Sequence, residues 1–146
     1  MTDNWKTFVS PAPQGPKVLV LDDDKRTLNG IVERLARQGY NAIPILEGTD
    51  LKNLDELTSI IEARNPAALI TDSEMLHFSG NDVCQHIKKA FPQLPVVLYS
   101  ASRTNVEDAP NHGFNDAVLK GVGSADDLSK ALVSQGIFGI PNIIAH

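Results

Sequence analysis

Apolar residues along this chain follow two rhythms that take turns. Val18-Leu19-Val20-Leu21, Ala67-Ala68-Leu69-Ile70, Pro95-Val96-Val97-Leu98-Tyr99 and Ala117-Val118-Leu119 are short runs without alternation, the pattern of strands buried on both faces in a parallel sheet. Asn41 to Leu46 reads as a further strand, and Pro44 within it cannot donate a ladder hydrogen bond, which puts that strand on a sheet edge. Between the strands the period lengthens. Leu28, Ile31, Val32 and Leu35 recur at i, i+3, i+4 and i+7 and predict a helix from about Lys25 to Gln38, closed by Gly39. Leu54, Leu57, Ile60 and Ile61 predict a second helix, opened by Asn53 with Glu56 three residues on and stopped at Asn65-Pro66. Val83, Cys84, Ile87 and Ala90 predict a third, which follows Gly80 and ends at Phe91-Pro92. Thr104 to His112 contains Pro110, so its helix is expected to be short or irregular before the turn at Gly113. Ser124, with Asp127 three residues later, reads as the N-cap of a last helix that Leu128, Ala131 and Leu132 carry to about Gln135-Gly136.

Strands alternating with helices predict an α/β fold: a five-stranded parallel sheet with helices on both faces, a flavodoxin-like (βα)5 three-layer sandwich joined by right-handed crossovers. An outermost second strand favours the order 2-1-3-4-5, with the switch point between the first and third strands. The 146 residues suit one domain. We expect a flexible arm over 1–16, which holds Pro11, Pro13 and Pro16, the domain over 17–136, and an apolar tail over 137–146. Ile137, Phe138, Ile140, Ile143 and Ile144 in that tail are expected to pack on the domain or a partner, with a homodimer one form of the latter. No apolar run approaches the ~18 residues of a membrane span, the start lacks a signal-peptide pattern, and the lone Cys84 suits core packing, so a cytoplasmic location is expected. Thirteen basic against eighteen acidic residues, net charge −5, disfavour nucleic acid as a direct partner.

The polar residues that end the strands carry the chemistry. The first strand exits into Asp22-Asp23-Asp24, the third into Asp72, the fourth into Ser100 and the fifth before Lys120. In the predicted sheet all these exits share one edge, so carboxylates, a hydroxyl and an ammonium meet in one crevice. Three packed carboxylates repel one another unless a cation joins them. Mg2+ fits, since it takes hard oxygen ligands and commonly uses one or two carboxylates with waters and phosphate oxygens. Asp72 is then placed to attack phosphorus and form an acyl phosphate, with Lys120 neutralising the phosphoryl oxygens and Ser100 donating to one of them.

Over roughly Lys17 to Gln135 the sequence resembles the receiver domain of two-component response regulators, the family of the chemotaxis regulator. The resemblance identifies Asp22 and Asp23 with the acidic pair after the first strand, Asp23 as direct Mg2+ ligand and Asp22 as holder of metal-bound water. It identifies Asp72 with the phosphoacceptor, which is also a metal ligand. The run from Asp72 to Gly80 follows the family's Asp-x-x-Met-Pro-x-x-x-Gly pattern, and the backbone carbonyl of Glu74 completes the implied metal ligands. Ser100-Ala101 matches the switch Ser/Thr with its small neighbour, and Lys120 matches the invariant lysine. Glu74 and Ser102 flank the implied phosphoryl position, where they would tune hydrolysis. Three positions depart from the pattern. Leu76 stands at the usual proline, Ala117 at the aromatic switch residue, and Gly121 at the proline after the lysine, where a cis bond without proline costs about 2.5–4 kcal/mol. The loop before the second helix also runs a few residues longer than usual.

The resemblance implies a phosphorelay protein that takes a phosphoryl group from a sensor histidine kinase or histidine phosphotransfer protein and switches binding to a downstream effector. It would catalyse only its own phosphoryl transfer and dephosphorylation. With about 16 residues before the domain and about 11 after it, output is expected to pass to another protein. The alternative within the family is a degenerate receiver that docks proteins without phosphorylation. A haloacid-dehalogenase-type phosphatase fits poorly, because its Asp-x-Asp-x-Thr/Val pattern meets Arg26 at the fifth position. A flavin binder fits poorly because the crevice is acidic and lacks a Gly-rich phosphate loop. His77, His86, His112 and His146 show no metal-ligand spacing.

Overall fold

A computed structural model describes residues 15–140. The unalternating runs become the strands β1 (Lys17–Asp22), β3 (Ala68–Asp72), β4 (Val96–Ser100) and β5 (Asp116–Leu119), and the proline-bearing run becomes β2 (Asn41–Leu46). All pair in parallel in the order β2-β1-β3-β4-β5, as expected. Pro44 lies opposite Val20 on the outer strand, where a missing N–H leaves no inner ladder broken. β1 and β3 are adjacent, with Leu21 beside Thr71, so their exits open side by side at the switch point.

Helices α1 (Lys25–Arg37), α2 (Leu54–Arg64), α3 (Gly80–Ala90), α4 (Arg103–Asp108) and α5 (Ser124–Ser134) complete the order. Because successive strand residues face opposite sides, the sheet feeds two cores. One gathers Val18, Val20, Ile70, Val97 and Tyr99 with Leu28, Leu35, Leu128 and Leu132 of α1 and α5. The other gathers Leu19, Leu21, Leu69 and Leu98 with Leu57 and Ile61 of α2 and Val83, Cys84 and Ile87 of α3. Cys84 is thus packing, and burial raises its thiol above the usual range.

Local signals explain most boundaries. Asn53 caps α2 by accepting from the Glu56 N–H at 2.9 Å, and Ser79 with Asp82 forms a reciprocal capping box on α3. Pro110 confines α4 to six residues and leaves a 3-10 turn at Ala109–His112, the irregularity expected there. The start of α5 corrects the sequence reading. Gly123, in the left-handed region at φ 82°, precedes the helix, and Ser124 does not cap it. The Ser124 hydroxyl pairs instead with Tyr99 Oη at 2.9 Å inside the core, because a buried tyrosine hydroxyl needs a partner more than a solvated helix end does.

Beyond α5 the chain crosses the end of α1. Ile137 is buried, its carbonyl accepts from Tyr40 Oη at 2.9 Å, and Ile140 N donates to Gly39 O at 2.9 Å. Phe138 and Ile140 are exposed, so only part of the described tail packs on the domain. Ile143, Ile144 and most of the expected arm, up to residue 14, lie outside the described residues.

Candidate functional site

Asp22 ends β1 and is only 1% exposed. Its Oδ1 accepts from Asp24 N at 2.9 Å, whereas its buried Oδ2 has no hydrogen-bond donor among the described residues and faces Lys120 Nζ at 3.5 Å. Asp72 ends β3 at 9% exposure, and its Oδ1 accepts from Ser73 N at 2.9 Å and Lys120 Nζ at 3.0 Å. One carboxylate oxygen each from Asp22, Asp23 and Asp72 lie within 4.8 Å of one another. Asp24 does not join them. It precedes α1, and the Thr27 hydroxyl it accepts holds its carboxyl below the usual range.

This crowding has an electrostatic cost. Burial first, with the Asp72 charge adding to it, outweighs the Asp24 N–H and Lys120 and lifts the Asp22 carboxyl to about 6. For Lys120 burial works against the charge, but Asp22 and Asp72 together outweigh it and hold the ammonium above the usual lysine range. The three convergent carboxylates, with Asp22 Oδ2 lacking a hydrogen-bond donor and met only by the Lys120 ammonium at 3.5 Å, fit a hard divalent cation.

Ser100, fully buried at the end of β4, accepts from Ser102 N at 3.0 Å and pairs with Ser73 Oγ at 2.7 Å. Lys120 follows β5, its N–H bonded to Ser100 O at 2.8 Å and its ammonium 5.2 Å from the Tyr99 ring centre. The four strand-exit positions expected to meet therefore do. Ser102 accepts from Asn105 N at 3.2 Å and caps α4, and Glu74 is exposed. Ala117 is partly buried against the α3-side core and has no side-chain torsion to turn. The Lys120–Gly121 peptide is trans.

Sequence reasoning passes over two residues here. Ser73 is one, and its hydroxyl contact with Ser100 spans 27 positions. Glu47 is the other, a carboxylate only 2% exposed just after β2. It accepts from Leu76 N at 3.0 Å and His77 N at 3.1 Å and makes a short contact with His77 Nδ1. The departure at Leu76 thus has a structural use, because a proline there has no N–H to give Glu47. A carboxylate at a strand exit was the available signal, the same one that marks Asp22 and Asp72. The base of the loop is closed by Gly80 N to Ser73 O at 2.8 Å. Gly80 is required there, since a Cβ would sit 2.4 Å from Asp72 O.

The open parallel sheet thus carries an acidic crevice at its switch point, with a lysine across it and a buried hydroxyl beside it. The profile of the response regulator receiver domain matches residues 18–133, and the chain belongs to that family. Receiver domains of this family bind Mg2+ in the acidic pocket. Among solved structures, the response regulator protein TrrA of Thermotoga maritima, in complex with Mg(2+)-BeF, superposes with a TM-score of 0.70 at 22% identity, covering 82% of this chain and 98% of that one. A response regulator receiver domain protein from Clostridium thermocellum gives 0.69 at 28% identity, over 82% and 93% of the two chains. The chemotaxis response regulator CheY4 of Vibrio cholerae gives 0.68 at 17% identity, over 84% and 99%. A probable transcriptional regulator of Porphyridium aerugineum, ycf27, is 28% identical over 88 residues, which is 60% of this chain. The chain spans about a third of the length of that curated relative, 34%. No helix among the described residues is long and apolar enough to cross a membrane.

Proposed function

We propose that this protein is the phosphoacceptor of a two-component phosphorelay and that Asp72 carries the phosphoryl group. The observation that supports this reading is the Asp72 carboxylate, set against Lys120 at 3.0 Å, within 4.8 Å of oxygens of Asp22 and Asp23, and beside the Ser73–Ser100 hydroxyl pair. An Asp72 oxygen attacks the phosphorus of a phosphohistidine on a sensor kinase or phosphotransfer protein. The O–P bond forms as the N–P bond breaks, and the imidazole nitrogen keeps the electron pair. Asp23, Asp72 and the Glu74 carbonyl would hold Mg2+, with Asp22 acting through a bound water. The ion supplies charge neutralisation to the phosphoryl oxygens. Lys120 moves from Asp72 to a phosphoryl oxygen, and Ser100 gives up its contact with Ser73 to donate to another.

The phosphoryl group adds about −1.5 to −2 charges and draws the loops after β4 and β5 inward. Ala117 cannot relay this by side-chain rotation, so the change passes through the backbone of Ser100 to His112. There α4 has six residues and contributes no buried side chain. A downstream effector protein reads the moved surface. Addition of Mg2+ and beryllofluoride to 15N-labelled protein should shift the amides of Ser73, Ser100, Ser102 and Lys120 and of α4, and Asp72→Asn should abolish these shifts. A flat titration of the unmutated protein would instead favour a docking module that works without phosphorylation.

A further inference from the structure

We propose that Glu47 is a positioning residue for the cation site. It clamps the loop after Asp72 to the β1 side of the crevice and thereby sets the affinity of the acidic cluster for Mg2+. The inference rests on the Mg2+ reading given above and adds a residue to it.

The geometry of the clamp is continuous. Glu47 N donates to the carbonyl of Asp22 at 2.8 Å, so the residue's backbone is fixed to the end of β1. Its own turn is held by Gly48 N to Leu51 O at 2.7 Å and Asp50 N to Leu46 O at 2.7 Å. From that anchor the carboxylate reaches across to the loop tip and gathers Leu76 N, His77 N and His77 Nδ1. Gly48 takes φ +92°, a left-handed conformation that favours glycine, and lies beside the Leu76 and His77 side chains of the tip. At its base the same loop is closed by Ser73–Gly80 and by the bridge between Glu74 and Ser79. Glu74 therefore lies between a closed base and a tethered tip.

Simple satisfaction of hydrogen bonds does not account for this arrangement. Leu76 and His77 are exposed, and water would meet their amides at little cost, whereas taking a carboxylate out of water is expensive unless it is fully bonded. What a buried carboxylate adds over water is a fixed distance between two segments that carry the acidic cluster, Asp22 on one and Asp72 on the other. Groups that orient metal ligands in this way typically alter metal affinity when they are removed.

The test uses the full chain after EDTA dialysis. Mg2+ is titrated calorimetrically into the unmutated protein, Glu47→Gln and His77→Ala, and amide exchange of the metal-free proteins is followed in parallel. We expect Glu47→Gln to weaken Mg2+ binding about 10-fold or more and His77→Ala, which loses one bond, by about threefold. Exchange at Leu76 and His77 should quicken in Glu47→Gln while the β1 and β3 amides keep their protection, a separation that general destabilisation would not give. A folded Glu47→Gln with unmutated Mg2+ affinity overturns the proposal. If Glu47→Gln does not fold, His77→Ala decides, and unchanged affinity there overturns it equally. A flat titration of the unmutated protein refutes the Mg2+ reading itself, and that result is distinct from either variant outcome.

Discussion

Asp22 bears the electrostatic cost of the site. A carboxyl whose folded pKa lies above its unfolded value stabilises the fold at low pH. For Asp22 that contribution is complete below about 3.8 and is lost as pH rises through about 6. The metal-free protein should therefore lose on the order of 2–3 kcal/mol between about pH 4 and 7 from this group. Asp22→Asn removes that loss, so its melting temperature in EDTA near neutral pH should exceed that of the unmutated protein, and Mg2+ should no longer raise it to the same extent. A lower metal-free melting temperature for Asp22→Asn would show that the charge is stabilising where it sits. The residues of this cluster are legible in the sequence because each ends or follows an unalternating apolar run, which places it at a strand exit without further information. Glu47 also follows a strand. It escapes notice because that strand is an edge, and an edge exit is expected to face water. Its burial depends on a loop 29 and 30 positions away that folds over it.

The same contrast governs the helices. Those whose ends are set by neighbours in sequence, such as α2 with Asn53 and Glu56, are readable from the chain. The start of α5 is not, because Ser124-x-x-Asp127 fits a cap equally well until Tyr99, 25 residues earlier, claims the hydroxyl. Two glycines separate local from tertiary demands. Gly30 lies inside α1, and a Cβ there would meet nothing within 4 Å. Gly30→Ala should stabilise the domain by roughly 0.5–1 kcal/mol in urea unfolding, through helix propensity alone. Gly80 opens α3 against the backbone of Asp72, and Gly80→Ala should cost about 1–3 kcal/mol through overpacking. It should also perturb the amide of Ser73. A Gly80→Ala protein as stable as the unmutated one, with the Ser73 amide unmoved, would mean that α3 does not hold the loop from Asp72 in place.

For the molecule as a whole, the strand order was legible because Pro44 marks an edge and alternating βα units allow few topologies. The closure at the far end of α1 was legible only as a surplus of apolar residues in the tail. There the backbones of Gly39 and Ile140 touch, and Tyr40 bonds the carbonyl of buried Ile137. Truncation after Gly136 should cost roughly 3–5 kcal/mol, from one buried isoleucine and the hydrogen bonds to Tyr40 and Gly39. Unchanged stability in urea would mean that the tail is held only loosely. The proposed phosphoacceptor, Asp72, lies at the other end of the sheet, where four strand exits meet. Incubation with acetyl phosphate and Mg2+, followed by intact-mass measurement, tests that role without knowledge of the partner. The account predicts a gain of one phosphoryl group that disappears in EDTA and in Asp72→Asn. No gain in the unmutated protein, or the same gain in Asp72→Asn, would contradict it.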